Sequence, residues 1–143
     1  MRYDRQIILP EIGEEGQNKL QKAKVLIVGV GGLGSPIALY LAGAGVGCLG
    51  LVDDDSVSIS NLQRQVLYSE EELGKPKAVC AAQRLTSLNS EIETRYYSTR
   101  LTAENADRII QEYDIVVDGC DNFDTRYLIN DICIKQGKPY VYG

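Results

Sequence analysis

The residues that could do chemistry fall into four short stretches of the 143-residue chain. The first is GVGGLGSP at 29–36, where Gly29, Gly31 and Gly34 make a G-x-G-x-x-G and Gly32 adds a fourth glycine. It follows the apolar run AKVLIVGV and precedes the apolar PIALYLAGAGV, so the glycines stand where a strand gives way to a helix. In that setting Gly29 permits a tight turn. Gly31 and Gly32 let backbone approach a phosphate, and Gly34 lets the helix pack closely on the strand. The unpaired amides and positive end of the helix then face an anion. The second stretch is Asp53–Asp55, with Asp53 placed 19 residues beyond Gly34 at the end of the next apolar run. An acid at that position accepts ribose hydroxyls. Asp55 is a further candidate, because three adjacent side chains cannot all face one site.

The third stretch supplies cations. SNLQRQ (60–65) sets Asn61 and Arg64 three residues apart, on one face if the segment is a helical turn. GKPKA (74–78) adds Lys75 and Lys77, and Arg5 stands in the N-terminal arm. Arg5, Arg64 and Lys77 together would suit a triphosphate, since arginine binds phosphate bidentately and lysine acts as a point charge. The other reading is surface side chains whose heads stay in water. The fourth stretch is VVDGCDN (116–122), an apolar strand ending in Asp121 and Asn122. Ligands of open parallel sheets sit at that end of a strand, so Asp121 could hold Mg²⁺ against the α-phosphate. Alternatively, Asp121 or Asn122 caps the helix that follows. Asp118, two positions earlier, can point to the other face of the strand. Cys120 has no histidine to serve as its base, because the chain contains none, and reads as a small apolar residue rather than a nucleophile.

Composition narrows the field. Hydrophobic residues are 44% and charged residues 24%, which is globular and excludes a disordered or fibrous chain. A net charge of −5 argues against a broad nucleic-acid footprint. No apolar run is long enough for a membrane span, and MRYDRQIILP has no signal-peptide core. The four cysteines, at 48, 80, 120 and 133, form no C-x-x-C pair. A zinc site within these residues is not expected, and the thiols read as the reduced cysteines of a cytoplasmic protein.

Elements that would position these residues follow from the periodicity. Strands are expected near 24–29, 48–53, 92–98, 114–119 and 139–142. Helices are expected over 11–22, from Ser35 onward, and over 76–89, 102–113 and 123–137, with a loop holding a short helix at 56–74. The order β-α-β-α-β-α-β-α-β with solidly apolar strands predicts an α/β, three-layer Rossmann-like fold: a mostly parallel open sheet with helices on both faces. The glycine loop and Asp121 must reach one edge, so the strands at 24–29 and 114–119 must be parallel neighbours or near-neighbours.

The blocks RYDRQIIL (2–9), GVGGLGSP (29–36), DDDSVSISNLQRQ (53–65), GKPKA (74–78) and DGCDNFDTR (118–126) run in order over nearly the whole chain. In this combination the sequence resembles the ThiF/MoeB/HesA family of adenylating enzymes that activate ubiquitin-like proteins, above all the bacterial members serving molybdopterin and thiamine biosynthesis. The resemblance implies an ATP·Mg²⁺ site. There the C-terminal carboxylate of a small ubiquitin-like sulfur-carrier protein, ending Gly-Gly, attacks the α-phosphate and displaces pyrophosphate. It places Gly29, Gly31, Gly32 and Gly34 beneath the phosphates and Asp53 on the ribose. Asn61, Arg64 and Lys77 fall near the phosphates, and Asp121 falls on Mg²⁺. Arg5 reaches the nucleotide site of a partner protomer, which implies a homodimer. An attacking carboxylate is already an anion and needs no base, so the lack of histidine fits.

The division expected is an N-terminal helical arm at 1–22 and an ATP-binding adenylation domain at 23–143. That domain is truncated on its C-terminal side, since the chain stops directly after a strand. The resemblance puts a structural zinc only in the part beyond. Two other functions compete. An NAD-dependent oxidoreductase would use Gly29, Gly31, Gly34 and Asp53 but gives no task to Arg64, Lys77 or Asp121. A catalytically silent pairing subunit would be expected to lose the glycines, the lysine or the aspartate that this chain retains.

Overall fold

A computed structural model describes residues 1–143. Five strands, β1 (Lys24–Val28), β2 (Cys48–Val52), β3 (Glu93–Tyr97), β4 (Ile115–Asp118) and β5 (Tyr140–Tyr142), form one sheet in the order β3-β2-β1-β4-β5. Every pairing is parallel. The helices are α1 (Asp4–Ile7), α2 (Gly13–Lys22), α3 (Gly34–Ala44), α4 (Lys77–Leu88), α5 (Ala106–Gln111) and α6 (Phe123–Gln136). This is the expected Rossmann-like sheet, and β1 and β4 are direct neighbours.

Register does the positioning. Tyr97, Val52, Val28, Asp118 and Tyr142 lie in one row across all five strands. The chain therefore leaves β2, β1 and β4 side by side at one edge, into Asp53, Gly29 and Gly119.

The central strands KVLIV and CLGLV are apolar because both their faces are covered. On one face Ile27, Leu49 and Leu51 meet Ala38 and Ala42 of α3 and Ala81 and Leu85 of α4. On the other, Leu26, Val28 and Val116 meet Ile109 and Ile110 of α5 and Ile129 and Cys133 of α6. Each fully buried leucine, isoleucine or valine among them contributes about 1.5–3 kcal/mol.

Four local expectations change. Residues 4–7 add a one-turn helix that the polar RYDRQ does not announce, fixed by the buried Tyr3, whose hydroxyl oxygen accepts a hydrogen bond from Asn89 Nδ2 at 2.8 Å. The helix expected over 102–113 forms only at 106–111, because Asn105 Oδ1 first accepts the Thr102 N–H at 2.8 Å and shapes a separate turn. Segment 56–74 holds two 3₁₀ turns rather than one short helix, each opened by a serine: Ser58 with Asn61, and Ser69 with Glu72. Finally, β3 reads ETRYY and is not solidly apolar, as suits an edge strand with Tyr96 exposed.

Gly50, in the middle of β2, admits the ring of Tyr113: a Cβ there would lie 2.3 Å from the Tyr113 hydroxyl. Gly50→Ala is expected to cost about 1–3 kcal/mol as overpacking. Combined with Tyr113→Ala it should cost less than the two single losses summed, by more than about 0.5 kcal/mol. Urea unfolding of the four proteins measures the cycle, and strict additivity would show that ring and strand do not compete for this space.

Candidate functional site

A cleft of about 550 Å³ lies at the strand ends, running from Thr99–Leu101 after β3, past Asp53 and the glycine loop, to Gly119–Asn122 after β4. The glycine loop is set by close backbone packing. Gly29 has φ +87°, and a Cβ on it would lie 2.9 Å from the Cys120 nitrogen. A Cβ on Gly34 would lie 1.8 Å from the Gly29 carbonyl oxygen. Only glycine fits either position, so α3 starts hard against the end of β1. Of the four glycines expected at a ligand, Gly29, Gly31 and Gly32 line the cleft. Gly34 does not; it is buried behind them and its role is packing. Helix α3 has no capping side chain, and the backbone amides from Gly31 to Gly34 find no acceptor in the protein. Successive free amides at a helix start form an anion-binding concavity.

Val30, between these glycines, is held from both sides. Its N–H donates to Asp53 Oδ2 at 3.0 Å, and its carbonyl accepts from the Tyr68 hydroxyl at 2.6 Å. Asp53 Oδ1 accepts the Asp55 N–H at 2.8 Å. Each carboxylate oxygen keeps a lone pair for a ligand hydroxyl. Burial pushes the Asp53 carboxyl above its ordinary range, while the Val30 and Asp55 amides and Lys77 pull it back.

The cations stand across the loop. Lys77, the first residue of α4, is 5% exposed and meets one carboxylate, Asp55, at 3.7 Å. A buried ammonium at a helix N-terminus opposes the helix dipole, and the exposed Asp55 carboxylate at 3.7 Å offsets it only in part. Arg64 is exposed, pairs with no carboxylate, and donates to the Ser60 carbonyl at 3.2 Å. Its side chain lies over Gly32, with Nε 3.5 Å from where a Cβ would be. Asn61 Oδ1 accepts from the Ser58 N–H and hydroxyl, at 3.1 and 3.0 Å, which leaves the Asn61 amide hydrogens unspent.

After β4, Asp118 is fully buried and does not serve the cleft. It accepts from Cys120 N–H at 2.8 Å and from the Tyr140 hydroxyl at 2.5 Å. Arg126 donates to the Cys120 carbonyl at 2.8 Å. Cys120 is thus gripped at both its N–H and its C=O, as Val30 is. The helix cap is Asn122, whose Oδ1 accepts the Thr125 N–H at 2.8 Å. Asp121 is not the cap; it is exposed, lines the cleft and makes no hydrogen bond within the protein.

The fold therefore gathers Gly29, Gly31, Gly32, Asp53, Asp55, Asn61, Arg64, Lys77 and Asp121 around one cleft; Asp54 lines it too, so all three adjacent acids face it, contrary to expectation, because the chain leaves regular strand geometry after Val52. Arg5 is not brought there; it lies exposed on α1, outside the cleft of its own chain. Sequence reasoning did not single out Gln65, Tyr68, Arg100 or Arg126. Gln65 is buried, with Nε2 3.3 Å from where a Gly31 Cβ would be, and Oε1 without a partner. Arg100 lines the cleft and has no ion-pair partner. Its place directly beyond a strand end was the available signal.

Comparison with known proteins gives a consistent picture. The family described as the ThiF family matches residues 3–143. The chain is 54% identical over 142 residues to a sulfur carrier protein adenylyltransferase of Thermus thermophilus, covering 99% of this chain and 52% of that protein. It is also 54% identical over 142 residues to the adenylyltransferase and sulfurtransferase MOCS3 of Culex quinquefasciatus, covering 99% and 32%. The chain thus spans about half the length of the first relative and about a third of the second. Among solved structures it matches the E. coli tRNA N6-threonylcarbamoyladenosine dehydratase TcdA in complex with ATP. That match has a TM-score of 0.92 and 27% identity, over 99% of this chain and 58% of that one.

The geometry around Cys120 makes a reactivity prediction. Burial and the neighbouring Asp118 push its thiol up to about 11 from 9.0. At pH 8 it should carry about 100-fold less thiolate than an unperturbed thiol and be alkylated correspondingly slowly. The rate should rise about tenfold per pH unit until the thiol titrates. Site-resolved mass spectrometry after iodoacetamide pulses measures this, and rapid labelling at neutral pH would reinstate Cys120 as a nucleophile.

Proposed function

The chain belongs to the ThiF family, and from that premise we propose that its cleft binds ATP·Mg²⁺ and adenylates the C-terminal carboxylate of a small ubiquitin-like sulfur-carrier protein ending Gly-Gly. A carboxylate oxygen bonds to the α-phosphorus, the bond from that phosphorus to the β-phosphate oxygen breaks, and pyrophosphate leaves. The observation that carries the reading is the pairing of unspent groups across the glycine loop. Free amides at Gly31–Gly34, the underpaired cations Lys77 and Arg64 and the uncommitted Asp121 carboxylate all belong to one cleft.

The roles follow from what each group has left to give. Asp53 takes the ribose hydroxyls, and Asp55 steadies Lys77. The loop amides, Asn61, Arg64 and Lys77 take the phosphates. The nucleophile is an anion approaching another anion, so catalysis rests on position and charge shielding rather than on proton transfer. Asp121 fits Mg²⁺, which takes one or two carboxylates and completes its shell with phosphate oxygens and water. When bound, the ion supplies further neutralisation of phosphate charge.

Arg5 completes the site of a partner protomer in a homodimer. Its place outside its own cleft supports this, as does exposure of the neighbouring Ile8 and Leu9, at 68% and 46%. The reaction proposed here is a cytoplasmic one. No helix of the chain is long and apolar enough to cross a membrane.

The test is ATP–pyrophosphate exchange by the full-length protein that carries these residues. Exchange should depend on a carrier protein and vanish when its terminal glycine is removed. Asp121→Asn keeps the shape of the side chain and leaves Asn122 in place as the cap. It should nevertheless lower exchange by about 10²-fold or more, the scale of one strong contact to the reacting group. ATP affinity should stay within a few fold, because the loss falls on the transition state. Asp53→Ala should instead weaken ATP binding. Near-normal exchange by Asp121→Asn would end the assignment of Asp121 to the chemistry.

A further inference from the structure

We infer that Tyr68 is a positioning residue for the nucleotide: its hydroxyl locks the Arg64-bearing segment to the glycine loop and so sets ATP affinity. The inference rests on the nucleotide site proposed above and adds to it a residue that touches no ligand.

Tyr68 and Val30 are 38 positions apart and both buried, at 7% and 0% exposure. The Tyr68 hydroxyl donating to the Val30 carbonyl at 2.6 Å is the one hydrogen bond that joins residues 58–68 to residues 29–34. Within its own segment, Tyr68 donates its N–H to the Gln65 carbonyl at 3.3 Å, and Gln65 donates its N–H to the Asn61 carbonyl at 2.8 Å. The chain of bonds therefore runs from Asn61 through Gln65 and Tyr68 into the loop. Arg64 over Gly32 and Gln65 beside Gly31 touch the loop only by packing.

On the opposite side of the same residue, Asp53 fixes the Val30 N–H. Val30 thus ties three parts of the cleft together: the ribose acid, the free amides and the phosphate-side arginine. Each binds a different portion of one ligand, so their relative register matters as well as each separate contact. Small misplacements of such groups lose binding out of proportion to the interaction removed.

Tyr68→Phe keeps the ring and volume and removes only the hydroxyl. It leaves the Val30 carbonyl buried and unpaired, free to rotate away from the loop geometry. Calorimetric titration of the full-length protein with ATP·Mg²⁺ should show affinity weakened about tenfold, the scale of one buried hydrogen bond. In pyrophosphate exchange KM for ATP should rise by a similar factor, while kcat changes less than about threefold. Tyr97→Phe is the control. It removes a part-buried hydroxyl bonded to Tyr113 at 2.8 Å, away from the loop, and should leave ATP affinity within about twofold.

Wild-type affinity in Tyr68→Phe, whatever happens to its thermal midpoint, would overturn the inference. So would an equal loss of affinity in Tyr97→Phe. If the wild-type protein binds ATP but shows no carrier-dependent exchange, the proposed substrate fails while the titrations still decide the role of Tyr68.

Discussion

The carbonyl oxygen of Gly29 and the α-carbon of Gly34 come so close that no side chain can stand between them, and the whole upper edge of the sheet is arranged around that contact. A Cβ on Gly119 would likewise lie 2.8 Å from the Gly29 oxygen. The exits of β1 and β4 and the start of α3 therefore meet as bare backbone. Main-chain amides, rather than side chains, are what this part of the molecule turns toward the cleft. The parallel register makes the meeting possible, because Val28, Val52 and Asp118 end their strands in one row.

Two aspartates secure that arrangement from either side of β1. Asp53, beyond β2, takes the N–H of Val30; Asp118, at the end of β4, takes the N–H of Cys120. Each of these peptides is also held at its carbonyl, by Tyr68 and by Arg126. Just beyond, the N–H groups of Gly31 and Asp121 are left free. Lys77 shows the same economy in charge. In a chain of net charge −5, a nearly buried lysine begins α4 where an acid would suit the helix better. A local rule broken in this way is what the ligand site proposed above would require.

Much of this was legible in the residues because it depends on local constraints. Glycines at 29, 31 and 34 between an apolar run and a helix have few other uses, and an acid ending the next strand follows from topology. Apolar runs marked β1, β2 and β4, and the alternation of strands with helices pointed to a parallel sheet. What was not legible depends on distance or on competition. Asp121 and Asn122 are both good caps, and only the fold shows that Asn122 accepts the Thr125 amide. Tyr68 and Arg126 act through carbonyls to which no sequence pattern points; for Tyr68 the partner lies 38 residues away. Strand β3 escapes the apolar rule because it is an edge, and α5 is shortened because Asn105 spends its side chain on the turn before it.

The split between Asn122 and Asp121 has a consequence for how such a protein can diverge. The N-cap of α6 falls to one residue, and the chemistry proposed for this edge to its neighbour. A gene duplicate could lose the second without disturbing the first, leaving a copy that still folds and still carries every surface of its parent. Such a copy would pass cellular quality control and accumulate changes slowly, free to become a scaffold or a regulator. Had a single aspartate both capped the helix and served the cleft, each change in activity would also have been a change in stability, and that evolutionary route would have been far narrower.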